Sequence, residues 1–227
     1  MSTSLYFDND PAIGTAFGVK PKDWPEYQAM SKRINLTTDR NWSEKSMRDC
    51  LCKADIWPDF PALRLTLVGD EFQAGDEDQR LDILYLRDDG ALLPCELKLG
   101  GKSKDTHGQL IRYIADLSFQ RPDLAWVQAY HRKFVDKMTE PARGLHTQKF
   151  DDFVSSNKIS DKFIRVLPRS GIIIDEAFPS QLLKAVRHLN DNCGFSIRLI
   201  EARAFTSNNS TPPQTDSKFR LDFNDVQ

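Results

Sequence analysis

The stretch RLDILYLRDDGALLPCELK, residues 80–98, constrains this chain more than any other. Two runs apolar enough to be buried strands flank a turn, yet they carry Asp82, Glu96 and Lys98 inside them. A buried, unpaired carboxylate is costly, so charges at such places need a partner, a metal or a changed protonation state. The turn sets the register. Asp88 and Asp89 suit the central positions of a type I turn, and Gly90 suits the left-handed position that follows it in a short hairpin loop. Arg87 then pairs with Ala91. Counting outward, Leu84 faces Pro94, Asp82 faces Glu96 and Arg80 faces Lys98, all on one side of the sheet.

Directly opposed residues have Cβ atoms about 4.5–5.5 Å apart, so two carboxylates there repel unless one is protonated or a cation sits between them. A hard divalent cation resolves this economically, because magnesium takes oxygen ligands and keeps several of its waters. Lys98, on the same face as Glu96, is placed to hold or polarise a water beside such a cation. That set suits hydrolysis of a phosphodiester.

The whole chain sets the frame. Its 227 residues, 40% hydrophobic and 28% charged, are enough for one sizeable globular domain and not for two full cores. No apolar run approaches the ~18 residues of a membrane span, and MSTSLYFDND lacks the basic-then-apolar layout of a secretory signal, so a cytoplasmic location with no membrane contact is expected. Cys50, Cys52, Cys95 and Cys193 form neither a CxxC framework nor a finger with the histidines, which argues against a structural zinc. Net charge is −2, so contact with a polyanion has to come from a local patch. Lys102 and Lys104 after the hairpin, and His131, Arg132, Lys133 and Lys137 in YHRKFVDK, are the candidates, though taken alone a solvated surface is the better explanation of both groups.

Along the chain, residues 1–40 show no sustained period and suggest an arm with a short helix from Trp24 to Ile34. NWSEKSMRDCLCKAD places Met47, Leu51 and Ala54 at helical spacing after a capping residue. ALRLTLVGDEF alternates as a strand, the hairpin follows, and THGQLIRYIADLSF carries Leu110, Ile114 and Leu117 on one helical stripe. The region from Trp126 to Asp161 suggests a strand followed by charged helical or loop segments. RVLPRSGIIIDEA, PSQLLKAVRHLN and FSIRLIEARAF then give strand, helix and strand. The expected fold is α/β, a central mixed sheet flanked by helices. Residues 206–227 form a polar linker and a tail, FRLDFNDVQ, whose alternating Phe219, Leu221 and Phe223 either add a strand to this protein or dock on a partner.

Asp82 with Glu96-Leu97-Lys98 resembles the Asp and (D/E)xK of the PD-(D/E)XK nuclease superfamily, and Gln109 with Tyr113 is similar to the QxxxY motif of its RecB-type branch. The order RLDILYL, DDG, CELKLG, GQLIRY is most similar to the NucS-type (EndoMS-type) endonuclease catalytic domain, with Glu44 in the place of that branch's first-helix glutamate. The resemblance covers residues 41–205 and has two departures. Pro94 lies in a strand the family makes central, and residues 128–165 have no counterpart there.

The resemblance implies a restriction-endonuclease-like core and a metal-dependent DNA endonuclease, working as a homodimer. In it Asp82, Glu96 and the Leu97 carbonyl bind Mg²⁺ or Mn²⁺. Lys98 orients or activates the attacking water, Glu44 assists the metal or its waters, and Gln109 bonds near the nucleophile or the scissile phosphate. Tyr113 steadies the site, Arg112 clamps a phosphate, and Lys102 and Lys104 supply the basic loop. KFRLDF also distantly resembles clamp-binding peptides, which implies a replication-clamp contact through residues 217–227.

Each residue has a plainer explanation. Thr106-His107-Gly108-Gln109 is also a capping box, Glu44 is also a third helical residue after an Asn41 cap, Tyr113 also suits the core, and Asp82 also suits a pair with Arg80 or Lys98. The competing function is a catalytically inactive nuclease-fold module that binds nucleic acid or protein.

Overall fold

The computed structural model describes residues 2–7, 16–17, 30–39, 41–53, 64–73, 80–100, 105–207 and 219–226. Its strands are β1 (Ser2–Phe7), β2 (Ala16–Phe17), β3 (Met30–Ile34), β4 (Leu65–Gln73), β5 (Arg80–Arg87), β6 (Ala91–Leu97), β7 (Arg165–Val166), β8 (Ser170–Asp175), β9 (Ser196–Ser207) and β10 (Phe219–Asp225). The helices are α1 (Leu36–Asp39), α2 (Glu44–Lys53), α3 (Thr106–Gln120), α4 (Leu124–Val135), α5 (Ala142–Ser156) and α6 (Ser180–Cys193), with a 3-10 turn at Asp161–Phe163. One mixed sheet runs β2-β1-β10-β9-β8-β6-β5-β4, with β3 beside β9 and β7 beside β6. The expected α/β architecture, a mixed sheet flanked by helices, is therefore present.

The hairpin forms as its turn chemistry requires. Gly90 donates its N–H to the Arg87 carbonyl at 2.9 Å and sits at φ 81, where a Cβ would come within 2.5 Å of the Phe163 carbonyl oxygen. The ladder has the expected register, Leu84 opposite Pro94, flanked by Ile83 opposite Cys95 and Tyr85 opposite Leu93. Pro94 is accommodated because its strand changes parallel partner there. Leu92 pairs with Val166 of β7, Cys95 pairs with Ile172 of β8, and Pro94 lies in the gap between them.

Both faces of the sheet are covered. On one, Leu36, Trp42, Met47 and Leu51 of the α1–α2 region pack with Ile83, Tyr85, Leu93, Cys95, Ile172 and Ile174. On the other, Leu110 and Ile114 of α3 and Leu182 and Val186 of α6 pack on Ile173, Ile197 and Leu199. Tyr113 and Leu117 of α3 join Val127 of α4 and Phe150 of α5 around Leu84, Leu86 and Leu92. A sheet covered on both sides explains why the hairpin strands look almost uniformly apolar.

Three segments differ from expectation. Met30–Ile34, placed in a helix from its sequence, is strand β3 and pairs antiparallel with β9; residues 24–29 lie outside the described part. Residues 1–40 are thus more than an arm, since β1 pairs with β10 and β3 with β9. The segment 128–165 is largely helical, and the strand expected at Trp126 is the first turn of α4, where the Asp123 side chain accepts the Trp126 N–H at 2.7 Å. Finally, the tail is strand β10, hydrogen-bonded between β1 and β9. Leu221 and Phe223 are fully buried, each contributing about 1.5–3 kcal/mol. A clamp contact through residues 217–227 would have to draw Leu221 and Phe223 out of this core.

No helix among the described residues is long and apolar enough to cross a membrane. Cys50, Cys52, Cys95 and Cys193 are all free thiols.

Candidate active site at the open end of the hairpin

At the end of the hairpin away from its turn, acidic residues from three adjacent strands form a row. Asp70 pairs with Ile83 and Phe72 with Leu81, so Glu71 of β4 lies opposite Asp82 of β5. The β5–β6 ladder ends at Ile83 and Cys95, one step before Asp82 and Glu96. There β6 turns from β5 towards β8, where Cys95, Glu96 and Leu97 pair with Ile172, Ile173 and Ile174. The Asp82 carboxylate takes over the missing rung, its Oδ2 accepting the Leu97 main-chain N–H at 2.8 Å. Asp82 is thereby fixed to the Glu-x-Lys segment, in addition to facing it.

Lys98 completes the group. Its Nζ donates to Glu96 Oε1 at 2.8 Å and lies 3.6 Å from Glu44 Oε2. Its main-chain N–H bonds the Ile174 carbonyl at 2.8 Å, which holds the residue against β8. Asp82, Glu96, Leu97, Lys98 and Glu44 are therefore brought together as the sequence suggested. Glu44 is the first residue of α2 and does not cap it. That helix is capped by Ser43, whose Oγ accepts the Ser46 N–H at 3.2 Å while the Ser43 N–H donates to Ser46 Oγ at 3.2 Å.

The electrostatics are those of a crowded acidic centre. Glu96 is 2% exposed, and burial first, then the neighbouring Asp82, push its carboxyl up to about 8 against the pull of Lys98. Burial also raises Asp82, opposed by the Leu97 N–H, Lys98 and Arg48. Burial works against the charge on Lys98, yet Glu96, Glu44 and Asp82 together hold its ammonium above the usual lysine value. Glu96 Oε2 is buried with no hydrogen-bond partner among the described residues. An orphaned carboxylate oxygen is the kind of donor a hard cation seeks.

Around this centre the remaining residues divide. Tyr113 is both core and border. It is buried, donates its hydroxyl to the Arg80 carbonyl at 3.0 Å, and is raised to about 12 by burial and then by Glu96 and Asp82. Gln109, one turn earlier on α3, is exposed. The capping box proposed for it does not form: the residue before the helix is Asp105, and the Thr106 hydroxyl is buried without a partner. Arg112 is exposed on the same helix. Lys102 and Lys104 lie outside the described residues.

Sequence reasoning missed Arg48 and Glu71. Arg48 of α2 is one turn from Glu44 and bridges two strands, 3.0 Å from Glu71 Oε1 and 3.6 Å from Asp82 Oδ1. Asp82 thus finds its cation on α2, and neither Arg80 nor Lys98 is its ion-pair partner among the described residues. The four-residue spacing of Glu44 and Arg48 was a signal that both face one way. Beyond Lys98 a cavity of about 460 Å³, lined by Arg33, Gly100, Glu176 and Arg203 among others, has its charges already matched. Arg33 and Arg203 both bond Glu201, and Glu176 holds the Leu36 N–H and the Thr37 hydroxyl.

The fold and site together define an α/β protein with a buried acid–base cluster at the end of a parallel–antiparallel strand junction. Comparison with protein-family models, with curated proteins and with solved structures gives no match.

Proposed function

We propose that this chain is a metal-dependent DNA endonuclease of the PD-(D/E)XK kind, with a restriction-endonuclease-like core, hydrolysing phosphodiester bonds as a homodimer. The observation that carries this reading is the convergence of Asp82, Glu96, Lys98 and Glu44 at one strand end, with Glu96 Oε2 left unpartnered. Among the described residues no three His, Cys, Asp or Glu side chains form a ready metal cage. The donors at hand would instead be the Asp82 and Glu96 carboxylates with the Leu97 carbonyl, an all-oxygen set that suits Mg²⁺ or Mn²⁺ better than a softer ion.

Asp82 and Glu96, with the Leu97 carbonyl, would hold the cation, which when bound supplies charge stabilisation and a more acidic water. Lys98 would orient the attacking water and, as it does so, exchange part of its contact with Glu96. Glu44, 3.6 Å from Lys98, would keep that ammonium in place. Tyr113, anchored on the Arg80 carbonyl, fixes the strand that carries Asp82. Gln109 and Arg112, exposed on α3, and the loop bearing Lys102 and Lys104 would contact the phosphate backbone.

The test is cleavage of labelled single-stranded, double-stranded and mismatched DNA with Mg²⁺, Mn²⁺ or EDTA. The expected result is metal-dependent cutting that Asp82→Ala and Lys98→Ala each lower by about 10²–10⁴-fold. Metal-independent cutting, or cutting that both variants retain, would sink the proposal. One observation favours a second reading, a silent binding module: Asp82 already has Arg48 beside it and Glu96 already accepts from Lys98. DNA binding without cleavage, with no stabilisation by either metal, is the outcome that reading requires.

A further inference from the structure

Arg48 occupies an unusual position. Its side chain is 11% exposed and lies between Glu71 and Asp82, closer to the first (3.0 Å) than to the second (3.6 Å). Its Nη2 lies on Glu71, its Nη1 faces Asp82, and its Nε is buried without a hydrogen-bond partner among the described residues, so the guanidinium is divided between two carboxylates and makes no side-on Nε–Nη fork with either. Glu71 reaches it from a backbone in the left-handed region, φ 48, which a non-glycine residue in a strand seldom adopts. Glu71 is also the more exposed partner, 36% against 13% for Asp82. Arg48 thus has two seats, an inner one on Asp82 and an outer one on Glu71.

Resting on the reading of this site as a metal centre, we infer that Arg48 is a resident counter-ion that competes with the divalent cation for Asp82, and that Glu71, already its nearer contact, is the seat that retains it when it withdraws from Asp82 as the metal binds. A guanidinium and a cation cannot share one face of a carboxylate without repelling each other. With Glu71 present, the withdrawal leaves no charge unpaired. Arg48 and Glu71 are positioning residues, setting how tightly the site takes its metal without themselves serving as ligands.

The sign of the effect separates this from a structural role. Mn²⁺ binding to the full-length chain is measured by titration calorimetry, with the Mn²⁺-dependent rise in Tm as a second readout. Arg48→Met is expected to bind Mn²⁺ on the order of tenfold more tightly, since it removes a like charge beside the ligand. Glu71→Gln is expected to bind it several-fold more weakly, because the arginine loses its outer seat. The double variant matches Arg48→Met, and Arg48→Lys returns to near-native affinity.

Unchanged or weaker binding by Arg48→Met, or unchanged or tighter binding by Glu71→Gln, overturns the inference while leaving the metal centre standing. Absence of Mn²⁺ binding by the native chain overturns both. Should Arg48→Met fold poorly, Glu71→Gln decides alone, since Glu71 lies at the more exposed side of the pair.

Discussion

At the turn end of the β5–β6 hairpin the aspartates are tied to guanidinium groups, whereas at its open end the carboxylates outnumber their close partners. Asp89 accepts hydrogen bonds from both Arg87 and Arg165 and from the Ala91 N–H, and Asp88 lies 3.6 Å from Arg64. The Arg87 bond, with the Ala91 N–H and Arg165, holds the Asp89 carboxyl at about 2 despite partial burial. Seven residues further along the hairpin, Glu96 is pushed up to about 8 and one of its oxygens has no partner among the described residues. A carboxylate that only holds a turn together is best fully ionised and saturated. One kept buried, crowded and under-coordinated lowers stability locally, which a fold tolerates where another species is to be bound.

The largest expected effect breaks the comparison by exchanging its ends. Under the proposed endonuclease activity, Glu96→Ala is expected to lower DNA cleavage to background, a loss on the order of 10²-fold or more from removal of a metal ligand. Asp89→Ala, equally a carboxylate deletion in the same hairpin, leaves the rate within about threefold under conditions where both variants are folded. Matched activity loss in the two would show that hairpin integrity, and not the open-end chemistry, is what the assay reports.

The sequence revealed the hairpin because everything needed is local. A type I turn with Gly90 fixes the pairing, and a two-residue period then carries Asp82 to Glu96. Glu44 was found through resemblance, and its place beside Lys98 depends on α2 crossing the strand end. Arg48 and Glu71 depend on that crossing too, and on a left-handed backbone at Glu71 that no local signal announces. The outer strands were illegible for another reason. Thr3 pairs with Phe223 and Arg33 with Phe205, partners separated by most of the chain, so a short alternating run such as FRLDF could not be distinguished from a free peptide. In α4 the helical period was hidden by His131, which counts as polar in sequence but is buried and stacked on Phe150 at 4.1 Å.

Metal sharpens the contrast next. At pH 8, a concentration of Mg²⁺ or Mn²⁺ about a hundredfold above Kd is expected to stabilise the native chain by about 2.7 kcal/mol, read as a rise in Tm. The rise is smaller at pH 6, because protonated Glu96 must release its proton before it can act as a ligand. Asp89→Ala keeps the metal response and Asp82→Ala loses it. A response as large in Asp82→Ala as in the native chain would place the cation elsewhere.

Without metal, the pH dependence of stability has opposite signs at the two ends. Glu96 is raised above its ordinary 4.5, so its contribution is fully present below that pH and is lost as pH rises through about 8. Glu96→Gln removes the charge that develops there. The variant is expected to be more stable than the native chain at pH 8.5 by about 1–2 kcal/mol in EDTA, and to show a flatter profile between pH 5 and 8.5. A native chain whose chemical-denaturation midpoint does not fall across this window would show that Lys98 fully compensates Glu96.

The smallest effect lies at the turn. Asp89 is lowered below its ordinary 3.8, so its contribution is present above that pH and is lost as pH falls through about 2. Asp89 is more than a third exposed, and solvent screens its ion pairs, so Asp89→Asn is expected to destabilise the chain by no more than about 1 kcal/mol at neutral pH. What remains in the variant is the main-chain bond from Gly90 to Arg87 and an amide oxygen able to accept the Ala91 N–H, so the turn persists with weaker guanidinium contacts. Urea denaturation at pH 7 and pH 3 separates the contributions. The native chain and Asp89→Asn converge at the lower pH as the remaining ionisation advantage of Asp89 fades, while Glu96→Gln, already indistinguishable there from protonated Glu96, diverges only at the other extreme. A loss in Asp89→Asn that is large and independent of pH would mean that the turn is held by the shape of the side chain and not by its charge, and the contrast between the two ends would then rest on the open end alone.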